Sequence, residues 1–188
     1  MPFGHDAQDA LEAAVDLVNS AEEPDTLLDV ADLADFFARH HYTGAHRGDR
    51  VELDEVRALR PRLRALLLAS RDEAVDLVNE LLAEHRALPQ LVRHADGRGG
   101  RTDWHVHAVG PEATLATRIA VETAMAMVDV VRADEHSRLA VCADDGCLGL
   151  VLDLSRNRSR RYCSTACGNR NAAAAYRARR AGGSTTDA

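Results

Sequence analysis

The chain contains no lysine, and arginine therefore supplies all 23 basic side chains among its 188 residues. Aromatic residues make up only 4% of the sequence, whereas hydrophobic residues reach 46%. A core must therefore be built mainly from leucine, valine and alanine. No run of about 18 apolar residues is present, which argues against a membrane-spanning helix. The N-terminal stretch lacks the basic and apolar regions of a secretory signal, so we expect a cytoplasmic protein.

Familiar catalytic motifs are also missing. The sequence has no glycine-rich phosphate loop, no serine-centred elbow and no HExxH motif. No cysteine precedes position 142. His40, His41 and His46 lie in one stretch, and His105 and His107 alternate in another, but neither spacing is specific for a metal or for catalysis. We therefore predict that the protein is not an enzyme, and a metal-dependent enzyme built on these histidines is the weakest hypothesis.

Charge is distributed unevenly along the chain. Residues 1–141 hold 15 arginines and 26 acidic residues, a net charge of −11. Residues 142–188 hold eight arginines and four aspartates, a net charge of +4. This asymmetry indicates a basic module carried on an acidic one.

Four cysteines lie in the basic part as two close pairs, Cys142-x4-Cys147 and Cys163-x3-Cys167, with 15 residues between the pairs. This spacing is typical of a tetrahedral Zn²⁺ site. One zinc ion per chain would be structural, because four thiolates leave no position for water. Two disulfides are an alternative that a cytosolic location disfavours. Four unrelated buried thiols are a second alternative, and the clustering makes it improbable.

Local signals place these pairs on turns and a helix. The sequence Asp144-Asp145-Gly146 favours a turn inside the first pair. The following LGLVLDL run predicts a strand, and Ser164 or Thr165 can cap a helix that starts beside the second pair.

The segment CADDGCLGLVLDLSRNRSRRYCSTACGNR resembles the CGNR zinc finger, which is named for the run found here at 167–170. The resemblance covers residues 138–180, and it departs from the family in lacking a Trp or Phe just after the second cysteine. The family's fingers usually follow an ABATE domain, whose early LDLVNT motif is similar to VDLVNS at 15–20. The resemblance implies a stress-induced transcription regulator whose N-terminal α/β domain senses a ligand. We expect Gly168 to permit close backbone approach near the metal.

The arginines around the second cysteine pair predict a phosphate-binding surface, because guanidinium groups bind phosphate oxygens well. A helix there could enter a major groove, where arginine reads guanine and asparagine reads adenine. Some of these arginines could instead compensate the charge of the thiolates or pair with Asp153. The candidate nucleic-acid-binding residues are Arg156, Arg158, Arg160, Arg161, Asn169, Arg170, Arg177 and Arg180.

Hydrophobic periodicity predicts an α+β fold: a mostly helical N-terminal domain with a small β-hairpin, then a strand-turn-helix finger. Helices are expected over 9–20, from Pro24 to about 41, over 51–70 with a kink or restart at Pro61, over 71–88 and over 111–134, with a hairpin over 90–109.

We predict three parts: an ABATE-like domain at 1–135, a CGNR-type finger at 138–180 and a disordered tail at 181–188. The favoured function is a DNA-binding transcription regulator, which would need to dimerise for tight binding. Its N-terminal domain would sense a small molecule or mediate assembly, and loops near 40–50 and 96–101 are the first places to look for the ligand. The alternative is a zinc-stabilised protein-interaction module without nucleic acid.

Overall fold

The structure is a computed structural model that describes residues 3–93 and 104–182. Within these residues the chain forms an α+β fold, as the sequence predicts. The helices are α1 His5–Asn19, α2 Val30–Arg39, α3 Arg50–Ala58, α4 Arg60–Leu68, α5 Arg71–Glu84, α6 Leu115–Ala133 and α7 Thr165–Gly182. The strands are β1 Gln90–Arg93, β2 Trp104–His107, β3 Leu139–Val141 and β4 Leu150–Leu152.

Two prolines were expected to mark helix starts, and the structure confirms one of these predictions but not the other. Pro61 lies in the first turn of α4, so the expected restart is confirmed. The prediction that Pro24 begins the second helix is wrong. That helix begins after Asp29, whose side chain forms a reciprocal capping box with Asp32. The residues after Pro24 stay irregular, and there the carboxylate of Asp25 accepts two hydrogen bonds from Arg60, at 2.8 and 3.0 Å.

The core is built where α6 packs against α1 and α5. Leu11 and Leu17 of α1 and Ile119 and Met127 of α6 are fully buried. Alanines on both helices are buried beside them and let the backbones approach closely, as the low aromatic content requires.

Two antiparallel hairpins complete the fold. The predicted hairpin forms from β1 and β2, with Leu91 opposite Val106. Its turn lies outside the described residues, and so does the expected ligand loop at 96–101. In the second hairpin β3 pairs with β4, with Ala140 opposite Val151. Only β4 was predicted from the sequence, because it lies in the apolar LGLVLDL run, whereas the short stretch around β3 shows no comparable pattern.

The second hairpin packs on the main core rather than standing apart. Leu139, Leu150 and Leu152 belong to the same buried cluster as the leucines of α1. Helix α7 then leads away from this core, and its residues 172–180 are all exposed. It extends to Gly182, and the remainder of the predicted tail, 183–188, lies outside the described residues.

Candidate metal centre and nucleic-acid surface

The first cysteine pair lies on a tight turn that follows β3. The backbone N–H of Cys147 donates to the carbonyl of Asp144 at 3.0 Å. Gly146 has a φ of 84°, which a side chain would disfavour. The N–H of Cys142 donates to the carbonyl of Gly149 at 2.8 Å, so the β-hairpin ladder runs directly into the turn and fixes both thiols.

The second pair brackets the start of α7. The Ser164 hydroxyl accepts a hydrogen bond from the N–H of Cys167 at 3.2 Å, which identifies Ser164 as the capping residue. Cys163 therefore precedes the helix and Cys167 lies in its first turn, and both sulfurs point to the turn of the first pair.

The four sulfurs have the geometry of a tetrahedral zinc site. The Sγ–Sγ distances are 3.6 Å from Cys147 to Cys163, 3.7 Å from Cys163 to Cys167 and 3.7 Å from Cys167 to Cys147. All four ligand atoms, including that of Cys142, lie within 4.8 Å of one another. A Zn–S bond of about 2.3 Å places the sulfurs of a regular tetrahedron about 3.8 Å apart. The residues therefore fit one structural zinc ion.

The glycine that this centre requires is Gly149. A Cβ atom there would lie 3.0 Å from the Sγ of Cys163 and 3.4 Å from the Sγ of Cys147. A Cβ at Gly168, where the sequence predicted the close approach, would lie 3.6 Å from Tyr162, an ordinary van der Waals distance. Gly149 could not be identified from the sequence, because a glycine in an apolar run carries no specific signal.

Arg170 and Asn171 brace the two cysteine turns against each other. Arg170 donates through Nε to Asp144 at 3.0 Å and through Nη2 to both Asp144 and the Sγ of Cys167, the latter at 3.0 Å. Asn171 donates to Asp144 at 2.5 Å and to the carbonyl of Cys167 at 3.1 Å. The hydrogen bond from Arg170 is the main reason why the pKa of Asp144 is lowered. Arg170 thus compensates the negative charge of the thiolates, which is the alternative role that the sequence left open for these arginines.

A second polar network holds the loop between β4 and Cys163. Buried Arg138 donates to the carbonyls of Asp153 and Ser155, at 2.8 and 3.1 Å, and to Glu135 at 2.8 Å. Arg158 donates to Glu135 at 2.7 Å. Arg138 was not predicted from the sequence, because it lies between two motifs and becomes important only when β3 pairs with β4.

Asn19 at the end of α1 joins the helical domain to the metal-binding part. Its Nδ2 donates to the carbonyl of Leu150 at 2.9 Å, and its Oδ1 accepts from the N–H of Leu150 at 2.5 Å. One amide side chain thus occupies both hydrogen-bonding groups of a β4 residue, as a neighbouring strand would. This contact gives a structural role to the VDLVNS motif.

Comparison with protein families agrees with this geometry. Residues 11–134 match the ABATE family, described as "Putative stress-induced transcription regulator". The chain belongs to the ABATE family. Residues 138–180 match the CGNR zinc finger, which confirms the resemblance that the cysteine segment shows. No curated protein matches the chain.

In this ABATE protein the predicted nucleic-acid residues fall into two groups. Arg158, Arg160 and Arg170 donate to protein groups, and Arg180 lies 5.9 Å from the ring centre of Tyr176. The side chains of the others are exposed and make no hydrogen bond or ion pair with a described residue. This second group is Arg156, Arg161, Asn169 and Arg177.

Two histidines of the ABATE domain each contact one carboxylate. His40 lies 2.9 Å from Asp16 and His46 lies 2.8 Å from Glu52. Among the described residues, the four cysteines are the group with metal-binding geometry. The side chain of His105 lies outside the described part of the structure. Both matched families are regulator or finger types rather than enzymes.

Within the described residues, no helix is both long enough and apolar enough to cross a membrane.

Proposed function

We propose that this ABATE protein is a cytoplasmic DNA-binding transcription regulator whose finger contacts the phosphate backbone and whose helical domain senses a ligand. The observation that carries the proposal is the exposed surface of α7 beyond the zinc cluster. Residues 172–180 of this helix are exposed, carry Arg177, Arg179 and Arg180, and contain no acidic residue. Such a basic, exposed helix attracts polyanions.

Some of these arginines stabilise the fold, and we propose that others contact the DNA phosphates. Arg170 forms an ion pair with Asp144, and Arg158 forms one with Glu135, so both charges are paired within the protein. Arg156, Arg161 and Arg177 have no such partner among the described residues and are exposed. We assign phosphate contact to these three, with Asn169 as a base-reading candidate.

The charge distribution supports contact through the finger alone. Residues 1–141 carry a net charge of −11, which repels DNA and leaves the C-terminal part as the attractive surface. A few phosphate contacts give weak binding, so we propose that two copies act together on DNA as a homodimer.

The test is DNA binding by the zinc-loaded full-length protein at several salt concentrations. The Arg161→Gln/Arg177→Gln double variant removes two of the proposed contacts. We expect at least about tenfold weaker binding at low salt, and a slope of log K against log salt that is reduced by about two. The matched control is Arg86→Gln/Arg132→Gln, which removes the same charge from two exposed arginines of the helical domain.

Two results would overturn the proposal. The first is a double variant that binds DNA as well as its control while its zinc content is normal. The second is a full-length protein that does not bind DNA at about 50 mM salt. In either case the alternative, a zinc-stabilised module that docks on another protein, becomes the better account.

A further inference from the structure

A cleft of about 550 Å³ lies between the helical domain and the finger. Its walls come from α1, from the end of α2, and from β4 and the segment that follows it as far as Cys163. Leu154 provides a partly exposed aliphatic side chain inside it, above the nearly buried side chains of Val15, Leu150 and Leu152. The volume falls within the range of about 300–1,000 Å³ that is typical of small-molecule sites.

The α1 wall of the cleft carries negative charge. Glu12 and Asp16 are four residues apart and therefore lie on the same face of the helix. One oxygen of Asp16 lies 2.9 Å from both Arg39 Nη1 and His40 Nε2, and the His40 hydrogen bond is the main cause that lowers the pKa of Asp16. The side chain of Glu12 is exposed and forms no hydrogen bond with another described residue. Its carboxylate is therefore available to a ligand.

The finger wall carries the guanidinium group of Arg160, which makes only long hydrogen bonds within the protein. Arg160 lies 3.3 to 3.5 Å from the carbonyls of Leu152, Tyr162 and Cys163. These contacts are longer than ordinary N–H···O bonds of about 2.7–3.2 Å. Nearby Asp153 is occupied by backbone N–H groups, at 2.7 and 2.8 Å. The Arg160 side chain can therefore bind a carboxylate in the bidentate manner that arginine favours.

We propose that this cleft binds a small zwitterion with an aliphatic side chain, such as an aliphatic α-amino acid. The ligand's ammonium group faces Glu12, its carboxylate meets Arg160, and its aliphatic part packs on the leucines. A ligand with one charge would satisfy only one wall. The inference rests on the sensing role proposed above and supplies its site and its ligand class.

A ligand in this position would join the two parts of the chain. Glu12 belongs to α1, whereas Arg160 lies three residues before the metal ligand Cys163. Occupancy of the cleft would therefore hold the finger against α1, and it would stabilise the folded protein because the unfolded chain has no such site.

The test uses zinc-loaded full-length protein without DNA, and calorimetric titration with L-leucine, 3-methylbutanoate and 3-methylbutylamine. L-leucine should bind at least about tenfold more tightly than the other two and raise the melting temperature by a few degrees. Glu12→Gln and Arg160→Gln should each weaken its binding by about tenfold or more. Asp9→Asn and Arg132→Gln remove the same charges from exposed positions outside the cleft and should change nothing.

Glu12→Gln keeps the proposal testable if Arg160→Gln disturbs the finger, because Glu12 makes no hydrogen bond that folding needs. Absence of L-leucine binding at about 10 mM overturns the proposal. Equal binding of 3-methylbutanoate, with no effect of Glu12→Gln, also overturns it. If the protein binds L-leucine but not DNA, the cleft proposal stands and the DNA-binding proposal fails. If it binds DNA but not L-leucine, the DNA-binding proposal stands and the cleft proposal fails.

Discussion

Glu122 on α6 shows how burial changes the protonation of one residue. Desolvation raises the pKa of Glu122 to about 7, against a partial opposing effect of Arg118 and a small reinforcing effect of Asp6. Arg118 is itself 3% exposed and donates to the carbonyls of Ala113 and Ala45, at 2.7 and 2.6 Å. The guanidinium thus closes the 40–50 loop onto α6 rather than neutralising the acid.

The raised pKa of Glu122 predicts a pH dependence of stability. Between its ordinary value of 4.5 and about 7, the folded protein retains a proton that the unfolded chain releases. Stability contributed by this group is therefore lost as the pH rises through that window. Glu122→Gln should remove this loss and be more stable than wild type at pH 8 by roughly 1–3 kcal/mol.

Urea denaturation of both proteins at pH 5 and pH 8 measures this difference. Glu23→Gln, at an exposed position, serves as the control and should follow the wild type. A Glu122→Gln variant with the wild-type difference between the two pH values would contradict the burial explanation.

At the level of elements, the contact between α1 and β4 decides how the finger is held. Leu150 and Leu152 pack into the α1 core, and Asn19 satisfies the backbone of Leu150 in both directions. The finger hairpin would expose these leucines if it were separated from the helices. We therefore expect the finger to depend on the helical domain for its stability.

Asn19→Ala should destabilise the protein by about 1–3 kcal/mol, because it leaves partly buried backbone groups of β4 without partners. The chain contains its own control. The hexapeptide AVDLVN occurs at 14–19 and again at 74–79, where Asn79 is exposed on α5. Asn79→Ala should change the stability by no more than about 0.5 kcal/mol. Equal effects of the two variants in chemical denaturation would contradict a docking role for Asn19.

At the scale of the whole molecule, one hydrophobic core extends across both regions of the chain that match a family. Buried residues from α1, α4 and α6 and from β3 and β4 form one cluster, and the zinc ligand Cys142 follows directly after β3. Metal binding and folding of the helices should therefore be thermodynamically coupled.

Removal of zinc should lower the thermal stability of the entire chain. We expect treatment with a strong chelator to reduce the melting temperature by about 10 °C or more, in a single transition followed by the helical circular dichroism signal. Re-addition of one equivalent of zinc should restore it. Two separate transitions, with the main helical one unchanged by the chelator, would show that the finger folds independently.

The sequence by itself determined the features that depend on nearby residues. The cysteine spacing predicted the zinc ligands, because two turns must present thiols in pairs. Helical periodicity predicted most helices, and Pro61 marked the start of α4, because a proline cannot continue a helix that needs its N–H. Pro24 misled because the Asp29 capping box provides a better helix start.

Only the tertiary structure decided which residues are used for contact and which for support. Arg170 and Arg177 look alike in sequence, but folding brings Asp144 to Arg170 and leaves Arg177 exposed. Likewise, the two AVDLVN copies differ in that β4 lies beside one of them. Such partners are distant in the chain, 131 residues apart for Asn19 and Leu150. Local sequence cannot specify these pairings, because they form only when the core brings remote segments together.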